Sequence, residues 1–278
     1  MKDKENKVLL WPLFILLPVS VLFLYPIFIV LLNSFKYKFN ISTQPFSLPD
    51  STTFAGIENY ISGIENTGFP SAFGYSVFVT VFSVAVILLF TAMTAWYIVR
   101  VKNLFTSFVY KALLFSMIVP FQMVMFTMSK TANTLRLDNP IGLIFIYLGF
   151  GAGLSVFLFT GFIKSVPYSI EEAATIDGCT PLQTFFKVVL PLLMPCAVTV
   201  AILQTMWIWN DYLLPYLIVG TDYKTIPIAV QYLKGGYGSV DMGALMAMLV
   251  LSIIPVVVFY LSCQKFIIKG IAAGAVKG

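Results

Sequence analysis

Three acidic side chains lie close together in one polar stretch of this sequence: Glu171, Glu172 and Asp177. Carboxylates so placed can cap a helix, or pair with a basic group on another protein. Ala173 and Ala174 lie between them, and such small residues favour docking because they let two backbones approach closely. The stretch therefore predicts a protein-docking element. The alternative is a solvated loop whose carboxylates cap only their own helix.

Other reactive side chains are sparse. The chain contains no histidine, and Cys179, Cys196 and Cys263 do not have metal-ligand or redox spacing. Imidazole acid–base chemistry and imidazole metal sites are excluded. We therefore predict no catalytic site and no metal site, and we interpret the chain as a non-enzyme.

The acidic residues are expected on the first of two short helices. Ser169 and Glu172 have capping-box spacing, and Glu171 also falls in the first turn, so a helix is predicted to begin here. Gly178 can end that helix in a left-handed conformation.

A second short helix is predicted directly afterwards. Thr180 supplies an N-cap and Pro181 a first-turn proline for a helix that continues to Leu190. Pro191 and Pro195 are predicted to end it. The connection of residues 164–195 is thus predicted to be a helix-turn-helix.

The flanking sequence is that of a membrane protein. Of the 278 residues, 59% are hydrophobic and 10% charged, and a helix needs about 20 apolar residues to cross a bilayer. Six stretches without charge are long enough, which predicts an all-α protein with six transmembrane helices. They are Val8–Phe35, Asn66–Val99 (with its helix beginning near Ser71), Ala112–Ser129, Asn139–Ile163, Val188–Asn210 and Met242–Gln264. The outer segment, residues 34–69, is expected to include a short interfacial helix.

The distribution of basic residues predicts the orientation. With the N-terminus inside, eleven of the 17 Lys and Arg residues lie on the inner side and six on the outer side. Basic residues are retained in the cytoplasm, so both termini and the 164–195 connection are placed there.

One motif within residues 164–195 gives this connection a specific resemblance. Residues 172–178 read EAATIDG, followed by Phe185 and Leu190-Pro191. This resembles the signature EAAxxDGAxxxxxFxxIxLP of the permeases of ABC importers, with Cys179 in place of the usual alanine and Val188 in place of isoleucine. We name residues 164–195 the coupling loop.

Two further motifs point to carbohydrate importers within that family. Residues 209–212 read WNDY, similar to the WN[DE][FY] stretch of carbohydrate-type permeases. The C-terminal residues, 269–278, resemble the tail of the maltose-system inner permease and its relatives. By this resemblance, Lys277 and Gly278 of this chain are predicted to contact a partner. Together the matches extend from about Tyr75 to Gly278.

The resemblance implies a type-1 ABC importer permease that moves a sugar across the bacterial cytoplasmic membrane by alternating access. It implies residues 1–70 as an N-terminal tail, first span and outer segment, 71–265 as the core, and 266–278 as a cytoplasmic tail. Expected partners are a second homologous permease, two cytoplasmic ATPase subunits, an extracellular solute-binding protein, the sugar and membrane lipid, but no nucleic acid.

Residues of the motif take their roles from the same resemblance. The ATPase-coupling set is Glu171, Glu172, Ala173, Ala174, Asp177, Gly178, Leu190 and Pro191. Glu172 is expected to pair with a basic residue of the ATPase. No cofactor is expected in this chain, because it lacks a G-x-x-x-x-G-K-[ST] phosphate loop, so ATP and Mg would bind the partner ATPase.

A candidate substrate pathway follows from helical spacing. Gln204, Trp207 and Asp211 lie at i, i+3 and i+7, hence on one face of the fifth span. Asn210 belongs to the same end, and Gln122 is a similar candidate in the third span. The alternative is that Trp207 and its aromatic neighbours form a belt at the membrane interface.

Other functions remain open from the sequence. A permease of this family could instead carry a polyol or a glycerol phosphoester. More remotely, an ion-coupled carrier would be expected to show ionisable residues deep in its spans, and a membrane enzyme a catalytic constellation.

Overall fold

The chain is built from helices, as expected for a sequence whose backbone must satisfy its hydrogen bonds inside a bilayer. The computed structural model describes the backbone of residues 2–233 and 240–275, and the side chains of 12–231, 233 and 240–265. In chain order the helices are α1 (Lys2–Asn33), α2 (Lys38–Thr43), α3 (Glu58–Thr67), α4 (Phe69–Arg100), α5 (Leu104–Ile118), α6 (Phe121–Thr134), α7 (Pro140–Ile163), α8 (Ser169–Ile176), α9 (Pro181–Thr184), α10 (Leu190–Asn210), α11 (Leu213–Val219), α12 (Ile226–Tyr232) and α13 (Met242–Ala275).

Five helical segments are long and apolar enough to cross a membrane: Pro12–Asn33, Phe69–Arg100, Pro140–Ile163, Pro181–Asn210 and Met242–Lys265. A sixth is the pair α5 and α6, bent by 109°. The prediction of six transmembrane helices is confirmed when this pair is counted as one span.

The third span is predicted as the single stretch Ala112–Ser129. In the structure this stretch is divided between two helices. α5 ends at Ile118, Val119 is extended and Pro120 is the N-cap of α6. Proline lacks an amide hydrogen and disfavours a helical conformation at the residue before it, so the helix stops here.

The chain divides into two compact units, residues 1–70 with 229–255 and residues 71–228 with 256–278. In the first unit, the outer segment contains the short helix α3, and its position at the membrane interface stays a prediction. Asn59 of α3 donates hydrogen bonds to the carbonyls of Ser34 and Lys36, both at 2.9 Å. These bonds hold α3 against the end of α1.

The second unit contains the coupling loop and the spans around it. One apolar cluster joins α4, α7, α10 and the start of the Pro181–Asn210 segment, with Phe159, Phe185 and Leu193 fully buried. A second cluster surrounds Tyr147 and Ile87, also fully buried. These clusters fix the helices from which the candidate site is built.

Candidate functional site

The first helix of the coupling loop begins where the sequence predicts, but with a different cap. Ser169 is the first helical residue, and Tyr168 is the N-cap without a side-chain hydrogen bond. The predicted Ser169–Glu172 capping box is therefore wrong. The preceding backbone already accepts from the first amides: Ile170 N–H donates to the Pro167 carbonyl at 3.4 Å and Glu171 N–H to the Tyr168 carbonyl at 2.9 Å.

α8 has two distinct faces. Glu171 and Ala174 are buried, whereas Glu172 and Ala173 are exposed and Ile176 is 85% exposed. Since residues three apart share a face of a helix, the inward and outward sets separate cleanly. The outward face thus offers a carboxylate, a small residue and an unburied apolar side chain.

Glu171 lies on the inward face. Its carboxylate forms an ion pair with Arg100, the last residue of α4, at 2.6 Å. The side chain is only 5% exposed, so a partner protein cannot reach it in this conformation. Glu171 therefore differs from Glu172, which has no ion pair within the described residues.

The turn after α8 has the predicted left-handed glycine. Gly178 has φ +82°, and a Cβ built on it would meet no atom within 4 Å. Its amide donates to the Thr175 carbonyl at 3.0 Å, and that of Cys179 to the Ala174 carbonyl at 3.0 Å. Asp177 is the exposed C-cap residue. Backbone bonds therefore set the turn, and its outer side is open.

The second half of the loop begins with the predicted cap. The Thr180 side chain accepts from Gln183 N–H at 3.3 Å, and the Gln183 side chain accepts from Thr180 N–H at 2.9 Å. With Pro181 at the first helical position, this is a complete capping box.

The predicted end of this helix at Pro191 and Pro195 is wrong. α9 continues through a π-turn, Phe185–Val189, into α10, and Leu190 N–H donates to the Phe185 carbonyl. The wider turn lets Pro191 enter the helix at a first-turn position, where its missing amide is tolerated. Leu190 packs on the apolar cluster and Pro191 is exposed. The loop thus joins the fifth span without a break.

The structure places three predicted pathway residues, two on α10 and one at its C-cap, against α7. Gln204 is buried, and its Nε2 donates to Ser155 Oγ at 3.0 Å. Trp207 packs edge-on against Tyr147, with ring centroids 5.4 Å apart. Asp211 accepts from the Tyr147 hydroxyl at 3.1 Å. All three therefore contact one stripe of α7.

Asp211 lies just past α10, beyond the span. Burial raises the pKa of this carboxyl, while hydrogen bonds from Leu214 N–H, the Tyr147 hydroxyl and Leu213 N–H act in the opposite direction. The bonds from Leu213 N–H and Leu214 N–H satisfy the first two amides of α11. Asp211 thus orders the turn between α10 and α11.

The remaining pathway candidates are more accessible. Asn210 is exposed and donates to its own helix, to the Met206 carbonyl at 2.7 Å. Trp207 is 40% exposed. Gln122 is exposed on α6, and among the described residues no hydrogen bond joins it to the α10 set. The structure therefore brings together the α10 residues and leaves Gln122 apart.

Sequence reasoning missed the α7 side of this contact. Tyr147 and Ser155, with Gly151 between them, recur every four residues, so they share one face of α7. That spacing of a tyrosine, a glycine and a serine was the available signal. Gly151 is also a contact, because its carbonyl accepts from Gln204 Nε2 at 3.3 Å.

The predicted contacts of Lys277 and Gly278 lie outside the described residues. The tail predicted from residue 266 begins as a continuation of α13, which extends to Ala275.

The membrane-spanning helices, together with a helix-turn-helix between two of them, define a multi-pass membrane protein. The chain belongs to the family described as binding-protein-dependent transport system inner membrane component, which matches residues 99–273.

Individual relatives agree over nearly the whole chain. It is 39% identical over 261 residues to the probable starch degradation products transport system permease protein AmyC of Thermoanaerobacterium thermosulfurigenes, covering 93% of each chain. It is 35% identical over 282 residues to the multiple sugar-binding transport system permease protein MsmG of Streptococcus mutans, covering 100% of each. These relatives show the family independently of the motif.

Solved structures show the same fold. A bacterial ABC transporter involved in the import of the acidic polysaccharide alginate superposes with a TM-score of 0.76 at 21% identity, covering 94% of this chain and 97% of that chain. A second, in complex with an alginate pentasaccharide-bound periplasmic protein, superposes with a TM-score of 0.66 at 15% identity, covering 95% of each chain.

Proposed function

We propose that this chain is the permease subunit of an ATP-driven ABC importer that carries a mono- or oligosaccharide across the cytoplasmic membrane. The observation that carries the proposal is the outward face of α8, which ends at a left-handed glycine within the family's own motif. The permease family supports transport. The names of the relatives AmyC, for starch degradation products, and MsmG, for multiple sugar-binding transport, support a saccharide as the substrate class.

The exposed residues of the coupling loop suit an ATPase partner. Glu172 offers a carboxylate to a basic group, and Ala173 permits close approach. Ile176 of α8, 85% exposed, and Leu182 of α9, 60% exposed, offer apolar area. Covering such apolar side chains with a partner protein would remove them from water, which favours association. ATP and Mg bind the partner in this proposal, and Asp177 and Gly178 set the turn.

The remaining partners are a second homologous permease, two ATPase subunits and an external solute-binding protein. Both termini and the coupling loop lie in the cytoplasm in this arrangement. Along α1, Phe14, Leu22 and Phe23 are at least 70% exposed, which suits contact with lipid.

On the opposite end of α10, Trp207 and Asn210 are the residues that a sugar can reach. An indole ring and an amide can stack on and hydrogen-bond to a saccharide. Gln204 and Asp211 fix this end of the fifth span against α7, because both form hydrogen bonds to α7 side chains.

The test is uptake by cells that lack only this subunit, with a panel of labelled mono- and oligosaccharides, one polyol and one glycerol phosphoester. We expect loss of one saccharide's uptake, restored by the wild-type gene, and an ATPase and second permease that co-purify with the tagged chain. Uptake that persists after ATP depletion and follows an ion gradient would refute the proposal.

A further inference from the structure

The end of α4 is joined to the coupling loop by a network of polar contacts. Arg100 donates to Glu171 Oε1 through Nε at 2.9 Å and Nη2 at 2.6 Å. Trp96, one turn earlier, donates from Nε1 to Glu171 Oε2 at 2.9 Å. Arg100 also donates to the Val166 carbonyl at 3.2 Å and lies over the Tyr168 ring, 5.3 Å from its centroid. Both carboxylate oxygens are therefore occupied.

Trp96 also contacts the other half of the loop. Its ring packs against Phe185, with centroids 5.5 Å apart, and Phe185 is fully buried at the first residue of the π-turn. One side chain of α4 thus contacts both α8, through Glu171, and the beginning of the fifth span. The two halves of the loop are tied to the same turn of α4.

The chemistry of this contact suits a fixed geometry. Apolar surfaces can slide with little change in free energy, but a guanidinium binds a carboxylate in only a few planar arrangements. Glu171 is 4% exposed, so water cannot replace a lost partner. The network therefore holds α8 to α4 in one orientation.

Resting on the proposed function, we propose that Trp96 and Arg100 are positioning residues that transmit movement of the coupling loop to α4 through Glu171. Glu172 and Ile176 on the outward face of α8 receive the ATPase. Glu171 on the inward face carries the displacement into the membrane helices. The two neighbouring glutamates of the motif thus have separate tasks.

The experiment uses the whole importer, reconstituted in liposomes with its ATPase and binding protein, and measures sugar imported per ATP hydrolysed. Arg100→Lys keeps the charge and loses the planar fork, and Trp96→Phe keeps the ring on Phe185 and loses one hydrogen bond. We expect the imported sugar per ATP to fall about tenfold for Arg100→Lys, and less for Trp96→Phe. Hydrolysis should continue. Lys102→Gln, at an exposed cation two residues on, is the matched control and should leave the ratio unchanged.

A double variant separates positioning from stability. Arg100→Met with Glu171→Leu replaces a buried ion pair by apolar side chains of similar size, an exchange that buried pairs often tolerate without loss of stability. Trp96 Nε1 loses its acceptor in this double variant, so we expect normal assembly with a small fall in melting temperature. The sugar imported per ATP should still be reduced about tenfold. A double variant that imports as much sugar per ATP as the wild type would overturn the inference. A wild-type complex that neither recruits an ATPase nor imports would overturn the proposed function, and the inference with it.

Discussion

The turn at Gly178 offers a direct test of the coupling loop. With φ +82° and no neighbour within 4 Å of an added Cβ, a substitution there encounters backbone strain and no steric clash. In Gly178→Val, holding valine in this left-handed conformation raises the free energy of the native turn by about 1 to 2 kcal/mol. That lowers the population of the native turn about 5- to 30-fold relative to rearranged turns. ATPase binding should weaken by up to the same factor.

Two assays report this effect: the amount of ATPase that co-purifies with the chain, and sugar uptake. Gly178→Asn is the first control, because asparagine adds a side chain yet tolerates a left-handed backbone, so both readouts should remain near wild type. Gly220→Val is the second. Gly220 also has a positive φ, of +58°, with open space around it, but it follows α11, away from the coupling loop.

The Asn and Val variants together decide the reasoning. Strain alone predicts a large loss for Gly178→Val and little for Gly178→Asn, whereas bulk at the docking surface predicts losses in both. If Gly178→Val retains ATPase binding and uptake at wild-type levels, the turn does not set the docking geometry.

Three further predictions concern orientation, packing and the pathway. Reporters at the N-terminus, at Gln183 and at the C-terminus should all report cytoplasm, and an externally accessible Gln183 would contradict this topology. Gly153→Leu should destabilise the chain by about 1 to 3 kcal/mol in thermal unfolding, because an added Cβ would lie 2.7 Å from the Leu113 carbonyl oxygen. Gly149→Leu, at an open position of the same helix, is its control. Gln204→Leu removes an unpartnered buried oxygen but also both bonds to α7, which leaves buried Ser155 Oγ without that partner, so stability should fall by about 1 to 3 kcal/mol; unchanged uptake would show that Gln204 does not act in transport.

The coupling loop shows which features are predictable from local sequence. Gly178 and the Thr180 capping box depend on residues within a few positions of each other, so their geometry follows from residue type. The ion pair of Glu171 joins residues 71 positions apart. Helix geometry turns Glu171 and Glu172 in different directions, but only the packing of α4 on α8 shows that Glu171 is the one that faces inward.

The prolines show why the spans were only partly predictable. Pro120 ends α5, whereas Pro18, Pro26 and Pro255 lie inside continuous helices. A proline frees one carbonyl in every case, and whether the helix continues depends on what satisfies that carbonyl and relieves the clash. The residue type alone cannot decide between a kinked helix and a break, so the bend at Pro120 required the structure.

The continuity of α9, the π-turn and α10 has a mechanical consequence for transport. Pro181–Asn210 is one helical segment, so a displacement at Thr180 can reach the α10 surface that packs on Tyr147 without crossing a loop, although it passes through the π-turn. The π-turn is the point at which the segment can yield, since its wider hydrogen bonding is less stable than that of an α-helix. Phe185 begins that turn and packs on Trp96 of α4. Under the proposed transmission, movement of the loop would act on α4 and on the segment leading into α10 at the same contact, so the two helices would move together.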